Sequence, residues 1–441
     1  MRSALLLAAF ACLQGSSIAQ DNVLILLADD IGVDYVGCYG EGPAAANTPN
    51  IDALAERGVL FRNVWAAPIC SATRAQIMTG RLSLRHGIGH VANSAHALSL
   101  GEITIPEILD NNAHLDVAHA AFGKWHLGNF KVGGELAPNM AGWSHFAGTM
   151  TNLNKPEDYY DWEHVENGFT TQADDYATTR AVDDFLDWHA GIDQPWLALV
   201  GFHAAHEPLH APPSHLHSVT LPLTDPRKDP VPFFQATVEA LDTEIGRLLA
   251  GLGDDLDKTN VIFVSDNGTI KLASVPPFEP SHAKMTPYEG GIGVPMVVAG
   301  PAVVNGGREV RSLVNTTDLF ATSLELAGVA LNAGLDGVVT RDGISFVPYL
   351  ESAGPHLPLR TIDYQEYFFP SGPGPYTIDF RIARDARFKL IRDQVTGTQE
   401  LYDLRVDPFE TNNLLPGPLP PYIKQSYKAL SAHIDGVLAS E

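Results

Sequence analysis

The chain is 441 residues long, 45% hydrophobic and 18% charged, and carries a formal net charge of -24. Such a composition is ordinary for a globular protein with a large core. The acidic balance argues against nucleic acid and against a polybasic membrane anchor, because no surplus of Lys or Arg is there to replace counterions. Any anionic substrate must be drawn in by a local field rather than the global one.

Residues 1–19 read as a signal peptide: Arg2 is a basic start, Ala4–Leu13 an apolar run, and Ser17-Ile18-Ala19 a small-residue cleavage site. The run is too short to span a bilayer, so the expectation is an exported protein, periplasmic or extracellular, with no membrane span. Two of the three cysteines, Cys38 and Cys70, remain after cleavage, and their simplest fate in an oxidising compartment is one disulfide.

Asn22–Ala28 is an almost wholly apolar run, the mark of a strand covered on both faces. Thr48-Pro49 opens a helix that Arg57-Gly58 closes, with Thr48 as cap. Further strands are expected at Val117–Phe122, Trp196–Phe202, Val261–Ser265 and Val294–Ala299. Amphipathic helices are expected at Asp174–His189, Phe233–Leu252 and Asn315–Ala327, the last capped by Asn315 or Thr316. Beyond residue 350, prolines punctuate short alternating runs, Phe380–Arg384, Phe388–Arg392 and Glu400–Leu404, before a helix near Ile423–Leu438. The predicted fold is α/β: a large, mainly parallel or mixed sheet sandwiched by helices, with a small C-terminal antiparallel α+β subdomain. The division falls at 20–352 and 353–441.

Polar residues gather where the strands end: Asp29 and Asp30, Lys124 and His126, His203 and His206, Asp266 and Asn267. Open α/β sheets bind ligands at the carboxyl ends of their strands. Adjacent carboxylates repel unless a cation sits between them; hard oxygen donors suit Ca²⁺ or Mg²⁺, and three carboxylates with an amide oxygen favour Ca²⁺ over zinc. A zinc site among His203, His206 and His210 is disfavoured, because Pro208 breaks any helix there and no cysteine joins them. Ser71–Thr79 is expected to be a helix ended by Gly80, so Cys70 stands at its N-terminus with Arg74 one turn in. Both the helix dipole and Arg74 favour an anion beside Cys70.

The segment Cys70-Ser71-Ala72-Thr73-Arg74, with Thr79-Gly80-Arg81, resembles the signature of the type I formylglycine-dependent sulfatases of the alkaline phosphatase superfamily. Similar pieces follow in order: Gly123-Lys124-Trp125-His126, His206-Glu207-Pro208, Ser265-Asp266-Asn267-Gly268, Lys284 with Tyr288-Glu289-Gly290-Gly291, and Leu401-Tyr402-Asp403-Leu404. The resemblance implies hydrolysis of an aryl or saccharide sulfate ester by a hydrated formylglycine that a maturase makes from Cys70. It assigns Asp29, Asp30, Asp266, Asn267 and the altered Cys70 to Ca²⁺, Arg74 to steadying that residue, and Lys124 and Lys284 to sulfate. His126 would take a proton from the nucleophilic residue, and His206 would give one to the departing alcohol or share that task with Lys284.

Two positions depart from the pattern. Ala72 stands where many members have proline, which bears on the maturation route, and Gly293 where many have arginine. The rival readings are a phosphoester or phosphonate monoester hydrolase of the same superfamily, and a binding protein with unmodified Cys70; Asn267, where the phosphoesterases commonly carry histidine, favours the sulfatase. The loops His86–Leu98, Gly142–Phe169 and Thr269–Ala283 are expected at the mouth. His96, His203 and His210 are candidate pocket-lining residues or, equally, core or surface histidines. Trp65, Trp143 and Trp162 are candidates to stack on a sugar or aryl ring, although tryptophan more often simply packs. With Cys70 modified, Cys38 is expected to be a buried free thiol.

Overall fold

The computed structural model describes residues 20–92, 96–331, 341–354, 357–415 and 417–440. The signal-peptide reading falls on residues 1–19 and lies outside the described residues. No helix among the described residues is long and apolar enough to cross a membrane.

The strands, in chain order, are β1 (Asn22–Ala28), β2 (Val59–Phe61), β3 (Val64–Trp65), β4 (Ala118–Lys124), β5 (His145–Thr149), β6 (Trp162–Glu166), β7 (Phe169–Ala173) and β8 (Trp196–Gly201). They continue with β9 (Thr259–Ser265), β10 (Met296–Ala299), β11 (Arg308–Val310), β12 (Val314–Asn315), β13 (Asp363–Phe369), β14 (Ile378–Arg384), β15 (Phe388–Asp393) and β16 (Gln399–Asp403). Ten of them form one sheet in the order β11-β2-β10-β9-β1-β8-β4-β5-β6-β7. The run from β9 through β1, β8 and β4 to β5 is parallel, while β10, β6 and β7 pair antiparallel with their neighbours. The sheet is therefore mixed, with the parallel part at its centre.

β1 is buried along its whole length because both faces are covered. Val23, Ile25 and Leu27 join a core with Ala75, Ile77 and Met78 of the helix Cys70–Thr79 and with Leu319 and Leu324 of the helix Asp318–Leu326. Leu24, Leu26 and Ala28 join a second core with Phe185 of the helix Ala177–His189 and Val238, Leu241 and Ile245 of the helix Pro230–Gly251. The alternation within one apolar run is the period of two of an extended chain. A lateral row of glycines ties the centre together: Gly123 pairs with Gly148 on one side and Gly201 on the other. With φ +75, a Cβ on Gly123 would stand 2.1 Å from the Gly201 carbonyl oxygen, so only glycine fits there.

The small antiparallel sheet runs β13-β14-β15-β16. One face packs on the helix Pro421–Ala439 through Leu390, Leu401, Leu430 and Ile434. The other packs against Trp65 and Ile292 of the large unit through Ile382, Ile391 and Tyr402.

Several expectations need correction. The strand expected to end at Phe122 runs on to Lys124, so Lys124 belongs to β4 rather than to the loop after it. Asn315 lies in β12, and the helix begins only at Asp318, whose carboxylate accepts the Asn315 N–H at 2.8 Å. Thr48 precedes the helix Pro49–Arg57 without capping it; its hydroxyl accepts from Gly37 N at 2.9 Å and donates to Asp52 at 3.0 Å. The acceptor at that helix end is Asp242, which takes the N–H of Ile51 at 2.8 Å.

Candidate active site

Because β1, β4, β8 and β9 are parallel neighbours, their carboxyl ends share one edge of the sheet. Asp29 and Asp30 leave β1, Lys124 ends β4, His203 and His206 follow β8, and Asp266 and Asn267 follow β9. Backbone bonds zip these turns together: Asp29 N to Ala204 O at 3.0 Å, Ala205 N to Asp29 O at 2.7 Å, and Asp266 N to Ala28 O at 3.1 Å. Over this edge the helix Cys70–Thr79 brings its first residue. All ten of its residues are buried, and Gly80, with φ 67, ends it in the left-handed region.

Arg74 binds the cluster from one turn inside that helix. Its Nε donates to Asp266 Oδ2 at 3.1 Å, one terminal nitrogen to the Lys124 carbonyl at 2.7 Å, and the other to Asp29 Oδ2 at 3.3 Å. Lys124 donates to the same Asp29 oxygen. Asp30 accepts from Asn267 Nδ2 at 2.7 Å and pairs with Lys284 at 2.6 Å. Cys70 Sγ lies 3.3 Å from His126 Nδ1. Asp30, His126 and Met285 all adopt positive φ, 66, 58 and 66 respectively. Strained backbone of this kind collects at functional sites, where the surroundings enforce it.

The electrostatics follow from burial among matched charges. Burial alone would raise Asp29, but Lys124, Arg74 and Lys284 hold its carboxyl well below the usual range. Burial, with Asp29 beside them, pushes Asp30 up to about 6 and Asp266 up to about 7, against the pull of Lys284 on the first and Arg74 on the second. Burial and the charges of Lys124 and Arg74 drive His126 well below its ordinary value, so it is neutral. Burial and Lys284 do the same to His206. Lys284 is raised, despite burial, by Asp30 and Cys70.

All ten residues singled out from the sequence meet here: Asp29, Asp30, Cys70, Arg74, Lys124, His126, His206, Asp266, Asn267 and Lys284. Others do not. His210 stacks on Tyr159 at 3.7 Å and bonds Tyr176 at 3.1 Å, a packed histidine rather than a rim residue. Trp65, Trp143 and Trp162 are buried in the cores and offer no open stacking face. Cys38 is a free thiol, as expected, but half-buried rather than buried, and no disulfide joins it to Cys70. Residues 93–95 of the His86–Leu98 loop lie outside the described residues.

Some participants carried no signal in the sequence. Tyr159 donates its hydroxyl to the carbonyls of His203 and His206, and Thr149 bonds His203 Nε2 at 2.7 Å. Ser71 donates to the His126 carbonyl at 3.0 Å, and Met285 N donates to Pro68 O at 2.9 Å. These contacts join distant segments through residue types common anywhere in a chain.

The donor set fits a hard divalent cation. Oxygens of Asp29, Asp30 and Asp266 lie within 4.8 Å of one another. Asp29 Oδ1 and Asn267 Oδ1 are buried without a partner, a costly arrangement unless a further positive group meets them. Three carboxylates are balanced by Arg74, Lys124 and Lys284, so a bound divalent ion would leave the site positive and ready for an oxyanion.

Known proteins are similar to this chain over most of its length. A family model described as Sulfatase matches residues 21–329, and one described as N-sulphoglucosamine sulphohydrolase, C-terminal, matches residues 282–435. N-acetylgalactosamine-6-sulfatase of Canis lupus familiaris is 30% identical over 78% of this chain and 68% of its own length. The Homo sapiens protein of that name is 31% identical over 75% and 65%, so the chain spans about two thirds of these relatives. Arylsulfatase A of Homo sapiens is 29% identical over 90% of this chain and 83% of its own length. Among solved structures, one protein in complex with its substrate D-glucosamine-2-N,6-O-disulfate superimposes with a TM-score of 0.76 at 21% identity. It covers 95% of this chain and 97% of its own. Ps i-CgsB in complex with k-i-k-neocarrahexaose gives 0.75 at 23%, covering 94% and 93%.

Proposed function

This chain belongs to the sulfatase family, and on that premise we propose that it hydrolyses the sulfate ester of a saccharide, releasing inorganic sulfate, with formylglycine at position 70. The observation that carries this reading is Cys70 at a helix N-terminus, its Sγ 3.3 Å from a neutral His126. The nucleophile is the hydroxyl of the hydrated aldehyde that a maturase makes from that thiol. Asp29, Asp30, Asp266, Asn267 and the altered residue 70 would hold Ca²⁺. When bound, the ion supplies positive charge to the nucleophile and to the sulfate oxygens.

Arg74 fixes Asp29 and Asp266 and so the geometry around residue 70. Lys124 and Lys284 supply the ammonium groups that face the sulfate oxygens. His126 can accept a proton from the hydroxyl carried at position 70, because burial among cations keeps its ring neutral. The proton for the departing alcohol rests on Lys284, which Asp30 keeps charged. His206, whose Nδ1 faces the Glu207 carbonyl and whose Nε2 lies 3.8 Å from Asp30, is close enough to feel the Lys284 charge and would share that proton donation with it. Support for a saccharide comes from relatives and structural neighbours named for sulfated sugars. Export through residues 1–19 and a subdomain beginning near residue 353 complete the reading.

Sulfate release from p-nitrophenyl sulfate and from 6-sulfated N-acetylhexosamines, with mass analysis of the Cys70 peptide, tests it. Cys70→Ala should abolish turnover in a folded protein, and exhaustive chelation should do the same to the wild type. Turnover of Cys70→Ala within tenfold of wild type would sink the mechanism.

A further inference from the structure

One strand to the side of Lys124, the same sheet edge opens into a cavity of about 370 Å³, within the range of small-molecule sites, roughly 300–1,000 Å³. Its inner wall is Thr149, the register partner of Lys124, whose hydroxyl holds His203 at 2.7 Å. The next wall residue, Met150, accepts the backbone N–H of His126 at 3.2 Å. The cavity thus shares a wall with the catalytic cluster, and most of its lining falls inside the Gly142–Phe169 stretch expected at the mouth, with Glu135, Thr170 and Gln172 added from outside it.

Its charge is opposite to that of the cluster. Glu135, Asp158, Asp161 and Glu163 line it, and among the described residues no Lys, Arg or His does. Asp158 Oδ2 accepts the N–H groups of Asn154 and Lys155 at 2.8 and 2.9 Å, and Asp161 accepts from Gln172 Nε2 at 2.6 Å. These neutral donors orient the carboxylates without neutralising them. Asn152 and Gln172 add amides, while Trp162 and Leu153 lie behind the lining, themselves nearly buried. Carboxylates and amides suit the hydroxyls of a pyranose. A second sulfate or a uronate carboxylate would meet four like charges instead.

We propose that this cavity is the subsite for the saccharide unit next to the sulfated one, and that it accepts an uncharged hexose or N-acetylhexosamine and rejects a uronate or second sulfate. The inference rests on the sulfatase reading for the placement of the sulfated unit. The enzyme would then read a charge pattern: one anionic group at the catalytic cluster, none in the adjoining unit.

The test uses two disaccharides that share one sulfated N-acetylhexosamine and differ in the neighbour, a neutral hexose or a hexuronate. Wild-type kcat/KM should favour the neutral neighbour at least tenfold. Asp161→Lys with Glu163→Lys should reduce that ratio at least fivefold, and the milder Asp161→Asn with Glu163→Gln should reduce it partly. A wild-type ratio near one, or a ratio that charge reversal leaves in place, overturns the proposal. Calorimetry with the two desulfated disaccharides supplies a readout independent of turnover. If no substrate releases sulfate, the sulfatase reading fails, and the cavity is judged on binding alone. Tenfold tighter binding of the neutral disaccharide then supports it; equal binding, or none, overturns it.

Discussion

Arg74 shows how much of the site hangs on single side chains. It is 3% exposed and its guanidinium meets Asp29, Asp266 and the Lys124 carbonyl at once. Removing one partner of a buried charge network leaves the others uncompensated, at a cost of about 3–5 kcal/mol. Arg74→Ala should therefore lower unfolding free energy in urea by about that much and abolish sulfate release. A loss under about 1 kcal/mol would mean that water or another cation replaces the guanidinium. Arg74→Lys should fall between, since it keeps the charge but not the planar fork. At this scale the sequence was highly legible, because Asp29, Lys124, His206 and Asp266 announce themselves as polar residues closing apolar strands. What it could not show was which charges pair. Lys124 meets Asp29 and Lys284 meets Asp30 only because parallel strands bring those turns together. For the tryptophans packing is the commoner role, and Trp65, Trp143 and Trp162 are indeed packed in the cores.

Long central elements were read well and short peripheral ones were missed, for a physical reason. β1, β8 and β9 are apolar on both faces, so their signal lies within their own residues. β2, β3, β11 and β12 have only two or three residues, and what makes them strands is pairing with segments far along the chain. The helix Pro49–Arg57 shows the same limit, since its acceptor is Asp242 on another helix rather than its own Thr48. Burial raises Asp242 to about 6, although the N–H groups of Ile51 and Asn50 favour its charge. The folded state therefore holds a proton that the unfolded state has released between about pH 4 and 6. Stability carried by that group is present at low pH and lost as pH rises through 6. Asp242→Asn lacks this titration. Urea unfolding from pH 4 to 7 should show wild type losing up to ~3 kcal/mol relative to the variant, with a plateau above about pH 6. A difference independent of pH would place the Asp242 value near that of a free carboxyl.

At the scale of the whole molecule, the small sheet reaches into the catalytic unit through buried charge. Lys389 of β15 is fully buried and pairs with Glu289 at 3.1 Å and Glu410 at 2.7 Å. Arg384 of β14 reaches the other Glu289 oxygen at 3.3 Å, and Trp65 donates to Glu289 at 3.0 Å. Glu289 ends a short segment that begins at Lys284, whose backbone donates to Thr269 O at 2.9 Å, while Met285 donates to Pro68 O near Cys70. The segment carrying Lys284 is thus fastened at one end to the catalytic loops and at the other to the small sheet. Lys389→Met keeps the apolar stem but leaves Glu289 and Glu410 facing each other without their shared cation, at a cost of about 3–5 kcal/mol. If the small sheet positions Lys284, the variant should also raise KM for p-nitrophenyl sulfate several-fold. Lys389→Arg should restore KM more fully than it restores thermal stability, because the charge matters to the segment and the fit matters to the core. Both variants would be followed by thermal unfolding and by initial rates of sulfate release. A lowered melting temperature with unchanged KM in Lys389→Met would confine the small sheet to a stabilising role, and Lys284 would then owe its place to Asp30 alone.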